Sequence, residues 1–217
     1  MHSYASDSID RRAAPWVIAV CAIGIAFLYG VFTRIFHMSL PWWSETPTIM
    51  FVYGIIHWLY STWLWKRRIC GISMSQIPDC NGTWFGLLKS SYGGGTNVEG
   101  MLFIHQTWSK IICEFRTESS VSYSRMACFN VTPGASEGLV YEYANDPRPD
   151  ATVTMHAHRG LAFLRLSVDG KQMQGDYYTG RDRANYGSMQ LRRLSPKRLD
   201  FQVARNCFKQ METERHG

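Results

Sequence analysis

The sequence predicts an all-β soluble domain, a small antiparallel β-barrel of about eight strands, preceded by a two-helix transmembrane hairpin. Three observations carry that prediction. Two apolar runs, residues 15–36 and 48–65, lie close together near the start of the 217-residue chain, and Arg34 is the one formal charge in them. After Arg68 the texture changes to short apolar segments, several with a period of two, punctuated by glycine. Turn pairs such as Asp169-Gly170 separate neighbouring segments, as antiparallel hairpins require.

Residues 1–14 read as a cytoplasmic segment that ends in Arg11 and Arg12 beside the first run. A helix rises about 1.5 Å per residue, so roughly 20 residues cross the ~30 Å hydrocarbon layer, and both runs meet that length. Neither shows the polar face that a core helix of a soluble protein keeps. The first run also lacks the small residues of a cleavage site, which favours a retained helix over a signal peptide. Lys and Arg mark the cytoplasmic side: Arg11, Arg12, Lys66, Arg67 and Arg68 flank the hairpin, whereas its connecting loop holds Glu45 and neither Lys nor Arg. Both termini are therefore expected in the cytoplasm. Trp42 and Trp43 suit the headgroup zone. Ala22, Ala26 and Gly30 form a small-residue stripe that lets another helix approach, and His57 must face a partner helix or water rather than lipid.

Residues 69–81 read as a linker and 82–217 as the barrel domain. Strands are expected over 82–88, 101–108, 110–117, 120–130, 139–143, 151–158, 161–168, 172–179 and 187–193, with HRGL at 158–161 as a second short connection. Residues after Leu194 fit either a last strand or an amphipathic helix. An eight-stranded barrel has just enough interior to be filled by side chains or to hold one small ligand.

Half of the formal charge of +6 belongs to the first seventy residues, which excludes a general binder of DNA or RNA polymers. The six cysteines show no CxxC pair or zinc spacing, and in a cytoplasmic domain they are expected as free thiols. The glycosylation-type triplets at Asn81 and Asn130 have no meaning on that side of the membrane. His156 and His158 share a strand face, but no third ligand accompanies them, so no metal is expected. SYGGGTN, 91–97, lacks the GK[ST] ending of a phosphate loop, and no catalytic motif is present, so an enzyme is not expected.

The stretch most suited to a ligand is GDYYTGRDRANYGSMQLRR, 175–193. Arg181 and Arg183 offer forked contacts to phosphate, and Tyr177, Tyr178 and Tyr186 offer ring faces to bases. A solvated hairpin explains the same residues, with Gly180 and Asn185 as turn formers. Arg165 shares a face with Phe163 and Ser167, and alternation points it outward. Trp84 and Trp108 could close the barrel floor or stack on a ligand.

The short basic N-terminus, the two apolar spans closing in KRR, a β-domain opening with NGTWFG and the tail through YYTGRDRANYG together resemble the two-transmembrane β-barrel effectors of bacterial CBASS anti-phage systems. These form the CD-NTase-associated protein 15 family. The resemblance spans nearly the whole chain and rests on organisation. It implies a receptor in the bacterial inner membrane for a cyclic dinucleotide made by a partner nucleotidyltransferase (CD-NTase). It further implies homo-oligomerisation on binding, disruption of the membrane and abortive infection. Tyr177, Tyr178, Arg181, Arg183, Tyr186, Arg165 and Trp84 are the expected ligand contacts, chosen from their chemistry. The competing expectations are a membrane-tethered, lipocalin-like barrel carrying an apolar ligand and a filled structural barrel.

Overall fold

The computed structural model describes residues 1–37, 45–69, 71–91, 95, 97–134, 137–147, 158–180 and 185–216. The chain divides into two units, Asp7–Ile77 and a second made of Met1–Ser6 with Pro78–Gly217. Trp42, Trp43, Cys70, His156, Arg181 and Arg183 lie outside the described residues.

The first unit is a helical pair. Helix α1 spans Asp10–Ile35 and helix α2 spans Glu45–Thr62, followed by a 3-10 turn at Leu64–Lys66. Among the described residues α1 is the one helix long and apolar enough to cross a membrane, with a mean hydropathy of 2.2, and Ile49–Thr62 is a shorter apolar helix. Alanine and glycine at every fourth position turn one side of α1 inward: Ala14, Ile18 and Ala22 are buried, while Ala26 and Gly30 are half-buried. Trp16, Phe27 and Leu28 project outward, at 76%, 69% and 66% exposure. His57 stacks on Tyr53, one turn earlier in α2, with ring centroids 6.0 Å apart. The chain is clasped where it enters and leaves this pair. Asp10 accepts hydrogen bonds from Ser8 Oγ, Ser75 Oγ and the Gln76 N–H, and Tyr60 donates to the Met74 carbonyl at 2.9 Å.

The second unit is an eight-stranded barrel. Its strands are β1 Gly82–Ser90, β2 Asn97–Gln106, β3 Lys110–Arg116, β4 Ser120–Asn130, β5 Gly138–Pro147, β6 His158–Leu166, β7 Gln172–Thr179 and β8 Tyr186–Ser195. Each pairs antiparallel with the next, and β8 closes on β1 from Gly187↔Ser90 to Ser195↔Thr83. Closure leaves β1 and β8 no free edge. One line is weaker. β3 and β4 pair only over Glu114↔Tyr123, Phe115↔Ser122 and Arg116↔Val121, and two short strands, His2–Ser3 and Ala5–Ser6, fill the gap below.

Two details differ from the sequence expectations, and a third point, left open there, is decided. HRGL lies inside β6 rather than in a turn, because His158, Arg159, Gly160 and Leu161 all pair with β5; residues 151–157 lie outside the described residues. The β6–β7 hairpin turns through five residues, 167–171, rather than through Asp169-Gly170 alone. Asp169 accepts from Ser167 Oγ and the Lys171 N–H, which holds the loop wide, and of the expected pair only Gly170 takes a positive φ, 68°. The open question of the tail is settled as helix α3, Phe201–His216. Asp200 caps it by accepting from the Gln202 N–H at 2.9 Å, and Phe201, Ala204 and Phe208 recur at helical spacing. They cover Phe85 and Met101, two outward-facing strand residues that are therefore buried.

Candidate ligand-binding site

The barrel is packed at one end and hollow at the other. Chain residues Pro78–Asn81 join at the packed end, where Trp84, Leu102, Ile104, Ile111, Leu139, Leu164 and Leu191 are at most 1% exposed. Trp84 belongs to this floor: its indole N–H donates to the Cys80 carbonyl at 2.9 Å, and the Arg193 guanidinium sits 5.5 Å from its ring. Burial there pushes the Cys80 thiol far up and the Cys113 thiol up to about 12, so both stay protonated.

At the other end a cavity of about 190 Å³ opens between the strand ends. Its wall is apolar and aromatic: Leu88 from β1, Val98 from β2, Phe115 from β3, Tyr141 and Tyr143 from β5, Tyr177 from β7 and Met189 from β8. Polar groups gather at the rim: Ser90, Thr117, Ser119, Ser120, Ser122, Asn145, His158, Thr179 and Asn185. Among the described residues the lining carries no Lys, Arg, Asp or Glu. Ring faces with hydrogen-bonding donors and acceptors suit a flat heterocycle with polar edges.

Glycine makes room for the rings. A Cβ on Gly160 would lie 2.3 Å from the Tyr143 hydroxyl, one on Gly187 2.7 Å from the Tyr177 ring, and one on Gly100 2.3 Å from the Phe115 ring. Tyr143 also meets Tyr141 at 6.2 Å and the edge of His158 at 6.4 Å between ring centroids. Burial pushes the Tyr141 phenol well above its ordinary value, so its hydroxyl remains a donor. Thr179 and Asn185 both line the cavity, and the Thr179 N–H donates to the Asn185 carbonyl at 2.8 Å.

The residues picked from the sequence separate in space. Tyr177 lines the cavity. Tyr178 and Tyr186 are register partners on the outer face, beside Lys89, Asp176 and Ser188 in an open external hollow of about 600 Å³. Arg165 is exposed on that outer side, as alternation required, with its guanidinium 5.4 Å from the Phe163 ring. Trp84 is in the floor, away from the cavity. Arg181 and Arg183 belong to the chain between Thr179 and Asn185 and lie outside the described residues. Among the described residues no group of three His, Cys, Asp or Glu side chains could hold a metal ion.

The main lining residues that sequence reading missed are on β4, β5 and β6. Two signals pointed to them: Tyr141, Tyr143 and Asn145 alternate in YEYAN, and Ser120, Ser122 and Ser124 alternate in SVSYS. Small hydroxyl residues on a buried strand face leave space and polarity where a filled core would place Val or Leu.

Comparison with known proteins agrees with this geometry. The profile described as "Cap15, cyclic dinucleotide receptor domain" matches residues 75–193, from just before β1 to near the end of β8. A protein of Yersinia aleksiciae named CD-NTase-associated protein 15 is 32% identical over 141 residues, 65% of this chain. One of the same name from Escherichia albertii is 31% identical over 131 residues, 58% of this chain. In each case the match spans 66% of the relative's length. The matched region carries every strand of the barrel and the whole described lining of the cavity, and the chain belongs to the Cap15 cyclic dinucleotide receptor family.

Proposed function

We propose that this chain is a membrane-anchored effector of a CBASS anti-phage system that senses a cyclic dinucleotide in the open end of its barrel. The observation that carries this reading is the cavity itself, with three tyrosine rings and a rim of hydrogen-bonding groups, in a receptor family named for that ligand class. In the proposed complex a base stacks on Tyr177 and Tyr143 while Ser120, Ser122, Asn145 and His158 read its edge. Arg181 and Arg183, between Thr179 and Asn185 in the sequence, supply the phosphodiester contacts that the lining lacks, and Tyr178 and Tyr186 are further candidate contacts. Arg165 and Trp84 take no part, by their position.

Downstream of binding, the reading is homo-oligomerisation and disruption of the bacterial inner membrane through the helical pair, with both termini cytoplasmic and a CD-NTase as the source of ligand. α1 supports the membrane part by its length and apolar outer surface. The family description is that of a receptor, and no catalytic step is proposed.

A second reading, a carrier for an apolar ligand, is favoured by the absence of Lys and Arg from the described lining. The rim weighs against it, because an apolar occupant would strip water from those polar groups without replacing its hydrogen bonds. Thermal denaturation of the full chain in detergent, with a panel of cyclic dinucleotides and with fatty acid, separates the two. A ligand at 100 Kd adds about 2.7 kcal/mol of stability. Stabilisation by fatty acid and by no nucleotide would refute the receptor reading.

A further inference from the structure

The line between β3 and β4 is where the barrel is least able to hold itself together. β1 and β2 share eight register pairs and β4 and β5 share ten, but β3 and β4 share three and then part. Residues 2–6 occupy the opening. His2 and Ser3 pair with Ile111 and Lys110 of β3, and Ala5 and Ser6 pair in parallel with Cys128 and Phe129 of β4. Tyr4, between them, is 6% exposed.

Two side chains of this strap, His2 and Tyr4, make contacts that matter. His2 Nε2 lies 2.8 Å from Ser124 Oγ, which also accepts from the Cys113 N–H at 2.9 Å. Ser124 is the next inward residue after Ser122 of the cavity lining, so the strap begins one side-chain layer from the proposed ligand. In the middle of the strap the Tyr4 hydroxyl donates to the Thr107 carbonyl and accepts from Gln106 Nε2, both at 3.3 Å. Gln106, 3% exposed, accepts the Cys80 N–H at 3.0 Å and donates its own N–H to Asn81 Oδ1 at 2.7 Å. One buried glutamine thus ties together the two places where the chain crosses between its units: the strap, four residues ahead of α1, and the segment that leads into β1.

We propose that residues 2–6 are a releasable strap that couples occupancy of the barrel cavity to the chain ahead of α1. The link to occupancy rests on the nucleotide reading given above. A ligand pressing on Ser120 and Ser122 spreads β3 from β4, the four strap pairs give way, and the segment before α1 is freed. The vacated edges at Lys110–Ile111 and Cys128–Phe129 then present unpaired N–H and C=O groups to a second copy of the chain.

The register supplies its own lock. Ala5 and Cys128 are direct neighbours across paired strands, which lie about 4.8 Å apart, inside the roughly 4.4–6.8 Å that a disulfide accepts between Cα atoms. The test uses the full chain in detergent with two arms. In the first, without ligand, alkylation of Cys128 is followed by peptide mass spectrometry in the wild type, Tyr4→Ala and Tyr4→Phe. The expected result is at least about tenfold faster labelling in Tyr4→Ala with the thermal midpoint of the barrel retained, and near-native labelling in Tyr4→Phe, which keeps the buried ring. An unchanged rate in Tyr4→Ala overturns the proposal. In the second arm the Ala5→Cys protein, oxidised and then reduced, is exposed to the panel of cyclic dinucleotides, and binding and self-association are scored together. Binding in both forms with association only after reduction supports the strap; association of the locked form equal to that of the reduced form overturns it. The alkylation arm needs no ligand, so it decides on the strap even where nucleotide binding fails and takes the pocket reading with it.

Discussion

The same eight strands build both ends of the barrel, and the ends differ in the size and polarity of what points inward. At the end where Pro78–Asn81 join, Trp84, Leu102, Ile104 and Ile111 interlock until no described side chain among them is more than 1% exposed. At the other, glycine stands at 100, 160 and 187, hydroxyl residues stand at 120, 122 and 179, and about 190 Å³ stays open. A barrel of this size can be filled or hollow, and this one divides the choice along its axis. The packed half supplies rigidity, so the hollow half can keep polar groups and space that would otherwise weaken a small domain.

That contrast is easiest to break by substitution on either side of it. Trp84→Ala or Leu102→Ala removes floor volume that no neighbour can replace and is expected to cost about 2–5 kcal/mol of unfolding free energy, measured by chemical denaturation in detergent. Nucleotide affinity extrapolated to fully folded protein should be nearly unchanged. Tyr177→Ala should shift the balance: one lost stacking face is worth about 1–3 kcal/mol, so affinity falls about 5- to 150-fold in a binding titration while the denaturation midpoint falls by less than in Trp84→Ala. Equal effects of Trp84→Ala and Tyr177→Ala on both measurements would erase the distinction between the ends.

Gly100→Ala sharpens the comparison further. The three atoms nearest the added methyl belong to the Phe115 and Leu88 side chains, both in the cavity wall, so the methyl acts through the shape of the hollow. The expected cost is about 1–2 kcal/mol, shared between stability and affinity. A further test of the packed end concerns pH. Cys113 has a folded value of about 12 against an ordinary 9.0, because burial disfavours the thiolate. Its contribution to stability is therefore fully present below pH 9 and is lost as pH rises towards 12. Cys113 should resist iodoacetamide at pH 8, as Cys80 should, while Cys207, half-buried on α3, reacts.

Sequence reading reached the strands that show their period plainly. Residues 172–179, expected as a strand, coincide with β7, and the outward direction of Arg165 followed from counting by twos along LAFLRLSV. It failed where two physical signals competed. Gly160 looked like a turn residue because glycine usually marks one, whereas here it sits in mid-strand to admit the Tyr143 ring. The tail stayed ambiguous because Leu199, Phe201 and Val203 alternate while Phe201, Ala204 and Phe208 follow a helix, and only the presence of Phe85 and Met101 on the outside of the barrel decides between them. The strap was invisible for a simpler reason: HSYAS is too short to carry any period, and its partners lie more than a hundred residues away. In the candidate site, Tyr177 could be picked because it stood among arginines, but Tyr143, Asn145 and Ser122 converge only through barrel closure.

Helix α3 has a consequence for handling the protein. Arg205 pairs with Glu99 and Glu212 with Arg192, so the helix brings counter-charges as well as apolar cover, and Arg198, just ahead of it, pairs with the buried Glu114. A protease that nicks the backbone after Leu199 would strip the lagging from Phe85 and Met101 and leave Glu99 without its cation. The trimmed barrel would be intact in fold but adhesive on one flank, and preparations that clump should be checked first for loss of the last two kilodaltons or so, before any signalling nucleotide is blamed.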